Sequence, residues 1–167
     1  MDISNLTINN GIINFDSKQY IGKYKINVYY NLNNIIKVTN YYYYILPYLT
    51  YNESSKQIVG GTNSTSSIPL VNPKYGKFYI NNNILIDSSG IIYFNSNIDV
   101  GIYNLLINYG FNDLSSNFNY LLTVTPYIYY NSKTINYDVS SQSEIPINNS
   151  PGGIFYLTFN SNSTINI

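Results

Sequence analysis

The sequence predicts an all-β protein made of tandem β-sandwich units, and three observations support this prediction. Apolar and polar residues alternate with a period of two over long stretches of the chain. β-branched and aromatic residues fill those stretches, whereas Gly, Asn, Ser and Pro separate them. A long segment also recurs 79 residues further along the chain. No stretch has the convincing 3.6-residue periodicity of an amphipathic helix.

The recurring segment defines the expected units. Residues 11–52 match residues 90–131 without a gap, with 15 identities in 42 positions. After Asn131 the match continues with a two-residue shift, so that Gly76-Lys77-Phe78 corresponds to Gly153-Ile154-Phe155. We therefore expect the C-terminal half of one unit at 1–46, a complete unit at 47–125 and the N-terminal half of another at 126–167.

The clearest single strands lie in the matched segments. Tyr103, Leu105, Ile107 and Tyr109 occupy every second position, and polar residues such as Asn108 lie between them. Residues 24–32 and 118–124 show the same alternation. This pattern is typical of half-buried strands. About seven short strands in a unit of this size indicate a sandwich, whereas a β-solenoid would repeat about every 20–30 residues.

A local motif links the units to a known fold. Residues 99–103 have the form Asp-x-Gly-x-Tyr, which opens strand F of many immunoglobulin-like domains, where the Tyr hydroxyl bonds back to the backbone. The earlier copy keeps Gly22 and Tyr24 but has Tyr20 in place of the Asp. The bridging Cys pair and the core Trp of antibody domains are absent.

Nearly the whole chain resembles the tandem immunoglobulin-like repeats of large bacterial and giant-virus surface proteins. The pattern of those repeats is found here at Pro47, Tyr51, Pro73, Gly76, Phe78, Gly90, Ile92, Val100, Gly101, Tyr103, Val124 and Pro126. The resemblance implies an immunoglobulin-like β-sandwich. It also implies an adhesion or fibre role at a cell surface or a virion surface, and therefore an extracellular or virion location.

Composition and charge argue against several classes of protein. Eight cationic residues offset eight anionic ones, which leaves no basic stripe for nucleic-acid phosphates. No apolar segment is long enough to span a membrane, so no membrane insertion is expected. The first residues lack the basic and apolar regions of a secretory signal peptide.

The residues usually needed for catalysis are scarce. The chain has no His and no Cys, which removes the usual general base, the thiol nucleophile and most zinc ligands. The carboxylates do not recur between the copies, because Asp99 matches Tyr20 and Asp113 matches Asn34. We expect no catalytic residue, no metal and no cofactor, with calcium as the weaker alternative.

A run of four tyrosines, residues 41–44, is the most unusual local feature. On a strand, Tyr41 and Tyr43 would point inward, and Tyr42 and Tyr44 outward. The outer pair could simply be solvated. Alternatively, Tyr42 and Tyr44 form an exposed aromatic contact surface, which could also stack on a glycan.

The half units lead to two hypotheses for function. Half a sandwich exposes its inner face and its open strand edges, which proteins avoid. The first hypothesis is therefore a structural filament subunit whose partner is another copy of itself, joined head to tail by strand addition. The second is an adhesive or ligand-binding region of a larger surface protein. The predicted assembly interface comprises Phe15, Tyr24, Ile26, Val28, Tyr30, Tyr41, Tyr43, Phe155, Leu157 and Phe159.

Overall fold

The computed structural model describes residues 6–15, 20–131, 141–148 and 152–156. These residues form fifteen β-strands, arranged in several sheets, and contain no helix. The all-β prediction is therefore confirmed. Within this part of the chain there is accordingly no helix long and apolar enough to cross a membrane. Leu157 and Phe159 of the predicted interface lie outside the described residues.

The first part of the chain forms two antiparallel hairpins. Strand β1 (Leu6–Asn9) pairs with β2 (Ile12–Phe15), and β3 (Gly22–Leu32) pairs with β4 (Ile35–Ile45). Both are closed by two-residue turns, Asn10-Gly11 and Asn33-Asn34, in which every residue has a positive φ. Asn and Gly tolerate this conformation best, and such turns match the right-handed twist of the paired strands.

Residues 48–125 contain nine strand segments. They are β5 (Tyr48–Thr50), β6 (Ser55–Val59), β7 (Ser64–Thr65), β8 (Leu70–Asn72), β9 (Lys77–Ile80), β10 (Leu85–Ile86), β11 (Ile92–Phe94), β12 (Gly101–Phe111) and β13 (Leu114–Thr125). The expected number was about seven. The count is higher because short interruptions separate β5 from β6 and β7 from β8; the second contains Pro69, which has no N–H to donate.

These segments form three sheets. The largest has the order β6-β13-β12-β9, in which β6 runs parallel to β13 and the other neighbours are antiparallel. The other two have the orders β10-β11-β7 and β5-β8. The arrangement is compatible with a β-sandwich.

One apolar core lies between the sheets of residues 48–125. Its buried members come from the largest sheet and from the strands facing it: Leu49, Tyr51, Ile58, Ile92, Phe94, Leu105, Ile107, Tyr109, Tyr120, Leu122 and Val124. Each of the long strands β12 and β13 contributes alternate residues, as the period-two pattern predicts.

The last described part of the chain contains a short antiparallel pair. Strand β14 (Ile128–Tyr129) pairs with β15 (Ile147–Asn148). The strand residues and residues 152–156 that follow them are exposed.

Candidate assembly face

The seven predicted interface residues of the first half lie on two neighbouring hairpins. We call them the N-terminal face: Phe15, Tyr24, Ile26, Val28, Tyr30, Tyr41 and Tyr43. Cross-strand pairing places Tyr24 beside Tyr43 and Ile26 beside Tyr41. The Phe15 ring lies 4.8 Å from the Tyr43 ring, which brings the β1–β2 hairpin against the β3–β4 hairpin. The structure thus brings these predicted residues together.

An open apolar groove extends this face between the two hairpins. Its lining includes Thr7, Asn27 and Tyr29, and its apolar members are Ile26, Val28, Leu6, Ile8 and Ile13. The last three were missed in the sequence analysis. The repeat could have revealed Ile13, because the residue 79 positions later is the fully buried Ile92.

The N-terminal face is exposed where its counterparts are buried. The counterparts 79 residues later are the core residues Phe94, Tyr103, Leu105, Ile107, Tyr109, Tyr120 and Leu122, of which Tyr103 alone is only half-buried. Three pairs show the contrast in exposed fraction: Tyr30 64% and Tyr109 0%, Phe15 42% and Phe94 1%, Tyr41 42% and Tyr120 1%. Of the other members, Tyr24, Ile26 and Val28 are half-buried, and Tyr43, at 7%, is already buried.

The two long hairpins have the same backbone register. Strands β3 and β4 pair from Gly22↔Ile45 to Leu32↔Ile35, and β12 and β13 pair at the corresponding positions 79 residues later. The hydroxyl of Tyr24 donates to the Tyr20 carbonyl oxygen at 2.5 Å, and that of Tyr103 donates to the Asp99 carbonyl oxygen at 2.8 Å. These are the backbone bonds that the sequence motif predicted, although both rings are only half-buried.

In residues 48–125, side chains from the earlier strands cover the β12–β13 hairpin. The Phe78 ring lies 4.7 Å from the Tyr109 ring, and the Tyr51 ring lies 5.8 Å from the Tyr120 ring. The Tyr109 hydroxyl also accepts the backbone N–H of Gly76 at 2.8 Å. The covering strands are therefore held by both apolar contacts and hydrogen bonds.

Two glycines that are 79 residues apart in the sequence differ in how closely side chains pack on them. A Cβ added to Gly90 would lie 2.5 Å from the Phe78 ring and 2.6 Å from Pro69, so these side chains close over the bare backbone. The Tyr51 hydroxyl donates to the Gly90 carbonyl oxygen at 2.6 Å. Gly11 stands 79 residues earlier, and a Cβ added there would meet no atom within 4 Å. The position is covered in one copy and open in the other.

The last part of the chain carries counterparts of the covering residues. Tyr130 corresponds to Tyr51, and Phe155, which is 60% exposed, corresponds to Phe78. In the β14–β15 pair, Ile128 lies opposite Asn148. The residues at the corresponding sequence positions, Leu49 and Val71, lie opposite each other in the β5–β8 pair. Among the described strands, neither β14 nor β15 has a contact of three or more residue pairs with β1 to β4.

The outward tyrosines lie on the opposite side of the β3–β4 hairpin. Tyr42 and Tyr44 are exposed and pair with Lys25 and Lys23. The Lys25 ammonium lies 5.8 Å from the centre of the Tyr42 ring, within the range of a cation–π contact.

The same outer side carries an apolar group that the sequence analysis did not single out. Tyr29, Ile36 and Val38 are exposed there, and their counterparts are Asn108, Ser115 and Asn117. A comparison of outer positions between the two copies would have revealed it.

Three tyrosines that are buried in these regions have raised pKa values. Burial and the nearby Tyr24 raise the pKa of Tyr43, and burial also raises the pKa values of Tyr51 and Tyr120. These phenols are therefore hydrogen-bond donors and not bases. No group of three or more potential metal ligands occurs among the described residues.

Comparison with known proteins gave no match. No family model matches the chain, and neither the curated proteins nor the solved structures include a significant match.

Proposed function

We propose that this protein is a structural filament subunit that polymerises head to tail by completing split β-sandwich units. In each joint, the segment 126–167 of one copy covers the segment 1–46 of another. The observation that carries the proposal is the N-terminal face, which exposes apolar residues whose counterparts are buried at the centre of residues 48–125. This role needs no catalytic residue and no cofactor.

We infer that each completed unit is immunoglobulin-like and repeats with the 79-residue period. The shared register of the two long hairpins and the paired Tyr24 and Tyr103 hydrogen bonds support the repeat. The parallel strand β6 at the edge of the largest sheet, next to its antiparallel partners, supports the immunoglobulin-like topology. The β1–β2 hairpin differs locally from the β10–β11 hairpin. A two-residue turn joins β1 to β2, whereas three residues lie between Asp87 and Ile91 in the loop between β10 and β11.

Joining between copies is favoured over joining within one chain. Strand β6 runs parallel to β13, and the Gly60 N–H donates to the carbonyl oxygen of Thr125. The chain therefore leaves the unit close to Gly60, thirteen residues along the chain from Pro47. Eleven extended residues, the length of β12, span roughly 35 Å. The two half segments are attached at these opposite ends, which makes a second copy the easier partner.

The expected energetics favour association. Each large apolar side chain removed from water contributes about 1.5–3 kcal/mol. The ordering of the segments and the loss of translational freedom oppose this gain. Because the net charge is zero, little electrostatic repulsion adds to the opposing terms. Such contacts are heterologous and propagate into an open filament, which fits a fibre on a cell or virion surface.

A matched pair of substitutions tests the proposal. Val28→Asp places a charge on the N-terminal face, whereas Asn40→Asp places the same charge on the outer side of the same hairpin, at an exposed residue of β4. We expect the parent and Asn40→Asp to form filaments visible by electron microscopy, and Val28→Asp to remain a soluble species that sediments as a monomer. The buried charge would cost several kcal/mol in the joint.

The outcome also separates the two hypotheses. If the parent protein stays monomeric at high concentration, the filament proposal is wrong. The alternative of an adhesive or ligand-binding region, with Tyr42 and Tyr44 as its exposed contacts, is then favoured.

A further inference from the structure

We propose that residues 153–156 of one copy form a strand that pairs antiparallel with β3 of another in one fixed register, with Tyr30 opposite Phe155 and Tyr29 opposite Tyr156. This inference rests on the proposed head-to-tail assembly and names the strand edge and the pairing within the joint. It also names Gly11 as the position on the receiving copy that admits this strand.

The register follows from the pairing seen in residues 48–125. There β9 pairs with β12 so that Phe78 lies opposite Tyr109 and Tyr79 opposite Asn108. The counterparts of Tyr109 and Asn108 are Tyr30 and Tyr29, and those of Phe78 and Tyr79 are Phe155 and Tyr156. Only β4 is paired with β3 in the described residues, so the other edge of β3 is available. A side-chain period of two makes a slip of one residue costly, because it would turn Phe155 away from the N-terminal face.

The open backbone at Gly11 fixes the position along the strand. Its counterpart Gly90 is closed over by Phe78 and Pro69 and accepts the hydroxyl of Tyr51. The corresponding residues of the incoming copy are Phe155, Pro146 and Tyr130. All three are present in the sequence, and no described atom outside residues 10–12 lies within 4 Å of a Cβ added to Gly11. We infer that the Phe155 ring lies on Gly11 and that the Tyr130 hydroxyl donates to its carbonyl oxygen.

The Tyr30 hydroxyl supplies a second polar contact. In residues 48–125, the Tyr109 hydroxyl, which corresponds to that of Tyr30, accepts the N–H of Gly76. The residue of the incoming copy that corresponds to Gly76 is Gly153. The Tyr30 ring is exposed in the isolated chain. In the joint it would lie against Phe155 and accept the Gly153 N–H. Apolar cover and hydrogen bonds then select the same register.

Paired cysteines test the register. Because the chain has no native Cys, any disulfide must form between the introduced residues. In an antiparallel pair, directly opposite Cα atoms lie about 4.5–5.5 Å apart, which a disulfide spans. The double variant Tyr29→Cys/Tyr156→Cys should give a ladder of covalent oligomers when filaments are oxidised. The matched control Tyr44→Cys/Tyr156→Cys uses a residue on the same side of the hairpin with similar exposure, 58% against 65% for Tyr29. Tyr44 lies roughly 20 Å further along the hairpin and should give no ladder.

The results distinguish this inference from the proposal on which it rests. Filaments with no ladder, or with equal ladders from both double variants, would overturn the register and leave head-to-tail assembly standing. A parent protein without filaments would overturn both.

A second pair of variants tests Gly11 without cysteine. Gly11→Ala and Gly61→Ala impose the same backbone cost, because the two residues have φ values of 80° and 82° and both have open space around them. We expect Gly11→Ala to raise the concentration needed for filament formation by at least about tenfold, corresponding to 1.4 kcal/mol. Gly61→Ala should leave it nearly unchanged. Equal effects of the two substitutions would exclude the contact at Gly11.

Discussion

Buried tyrosines give this weakly charged protein its polar contacts between strands. The hydroxyl of Tyr51 bonds to the Gly90 carbonyl oxygen, and that of Tyr120 bonds to the Glu53 carboxylate at 3.0 Å. Tyr109 bridges Gly76 and Pro73 through its hydroxyl. Each ring fills core volume while its hydroxyl satisfies a backbone group or a carboxylate that is removed from water. The buried Tyr43 hydroxyl, in contrast, has no hydrogen-bond partner among the described residues.

The Tyr109 bridge leads to a prediction about stability. Tyr109→Phe keeps the ring and removes the hydroxyl, which leaves the Gly76 N–H and the Pro73 carbonyl without this partner. We expect the free energy of unfolding to fall by about 1–3 kcal/mol, measured by urea denaturation. The control Tyr79→Phe changes an exposed ring on the neighbouring strand and should cost less than about 0.5 kcal/mol. Equal effects would mean that the bridge does not stabilise the fold.

Asp87 leads to a prediction about pH. Partial burial alone would raise the pKa of its carboxyl, but hydrogen bonds from the Ile91 N–H, the Tyr93 hydroxyl and the Ser89 N–H outweigh it and hold the pKa below its ordinary value. The stabilisation is therefore fully present above the ordinary Asp pKa of about 3.9 and is lost as the pH falls through the lower folded-state value. Between pH 5 and pH 2, the parent should lose more thermal stability than Asp87→Asn. Identical pH profiles for the parent and Asp87→Asn would contradict the argument.

At the scale of the elements, the long hairpins are positioned by their turns. The Asn112-Asp113 turn between β12 and β13 has φ values of 48° and 60°, which match the Asn33-Asn34 turn between β3 and β4. Positive φ costs non-glycine residues roughly 1 kcal/mol or more, so neither turn has its most stable sequence. The same turn geometry gives both hairpins the same register, and this shared register makes the two faces comparable.

The turn geometry predicts a stabilising substitution. Asp113→Gly removes the steric cost of the positive φ and creates the Asn-Gly pair that such turns prefer. We expect the midpoint of urea unfolding to rise, with a gain of about 0.5–1 kcal/mol. Ser115→Gly, two residues away inside strand β13, should instead destabilise the protein by a similar amount. A loss of stability in Asp113→Gly would show that its side chain has a role that the turn geometry does not reveal.

At the scale of the whole molecule, burial is concentrated in residues 48–125. That segment contains every residue of the apolar core, whereas the described residues on both sides of it remain largely exposed. The middle segment is expected to be stable alone, and the flanking segments to gain stability through assembly.

Deletion of residues 126–167 tests this division of roles. We expect the truncated protein to form no filaments because it lacks the covering strands, while its middle segment keeps a cooperative thermal unfolding transition like that of the parent. Electron microscopy and circular dichroism would measure the two properties on the same sample. Filaments that persist after the deletion would show that the C-terminal segment does not form the joint.

The sequence by itself determined the all-β class and the alternating pattern of the long strands, whereas the Tyr24 and Tyr103 backbone bonds were expected from the resemblance to immunoglobulin-like domains. It could do so because a period of two and short turn motifs are local properties of the chain. Only the tertiary structure decided which of two residues 79 positions apart is covered, as with Gly90 and Gly11 or Tyr109 and Tyr30. The same was true of the groove formed with Leu6 and Ile8. Burial depends on which distant strands pack above a residue, and identical local sequence patterns do not contain that information.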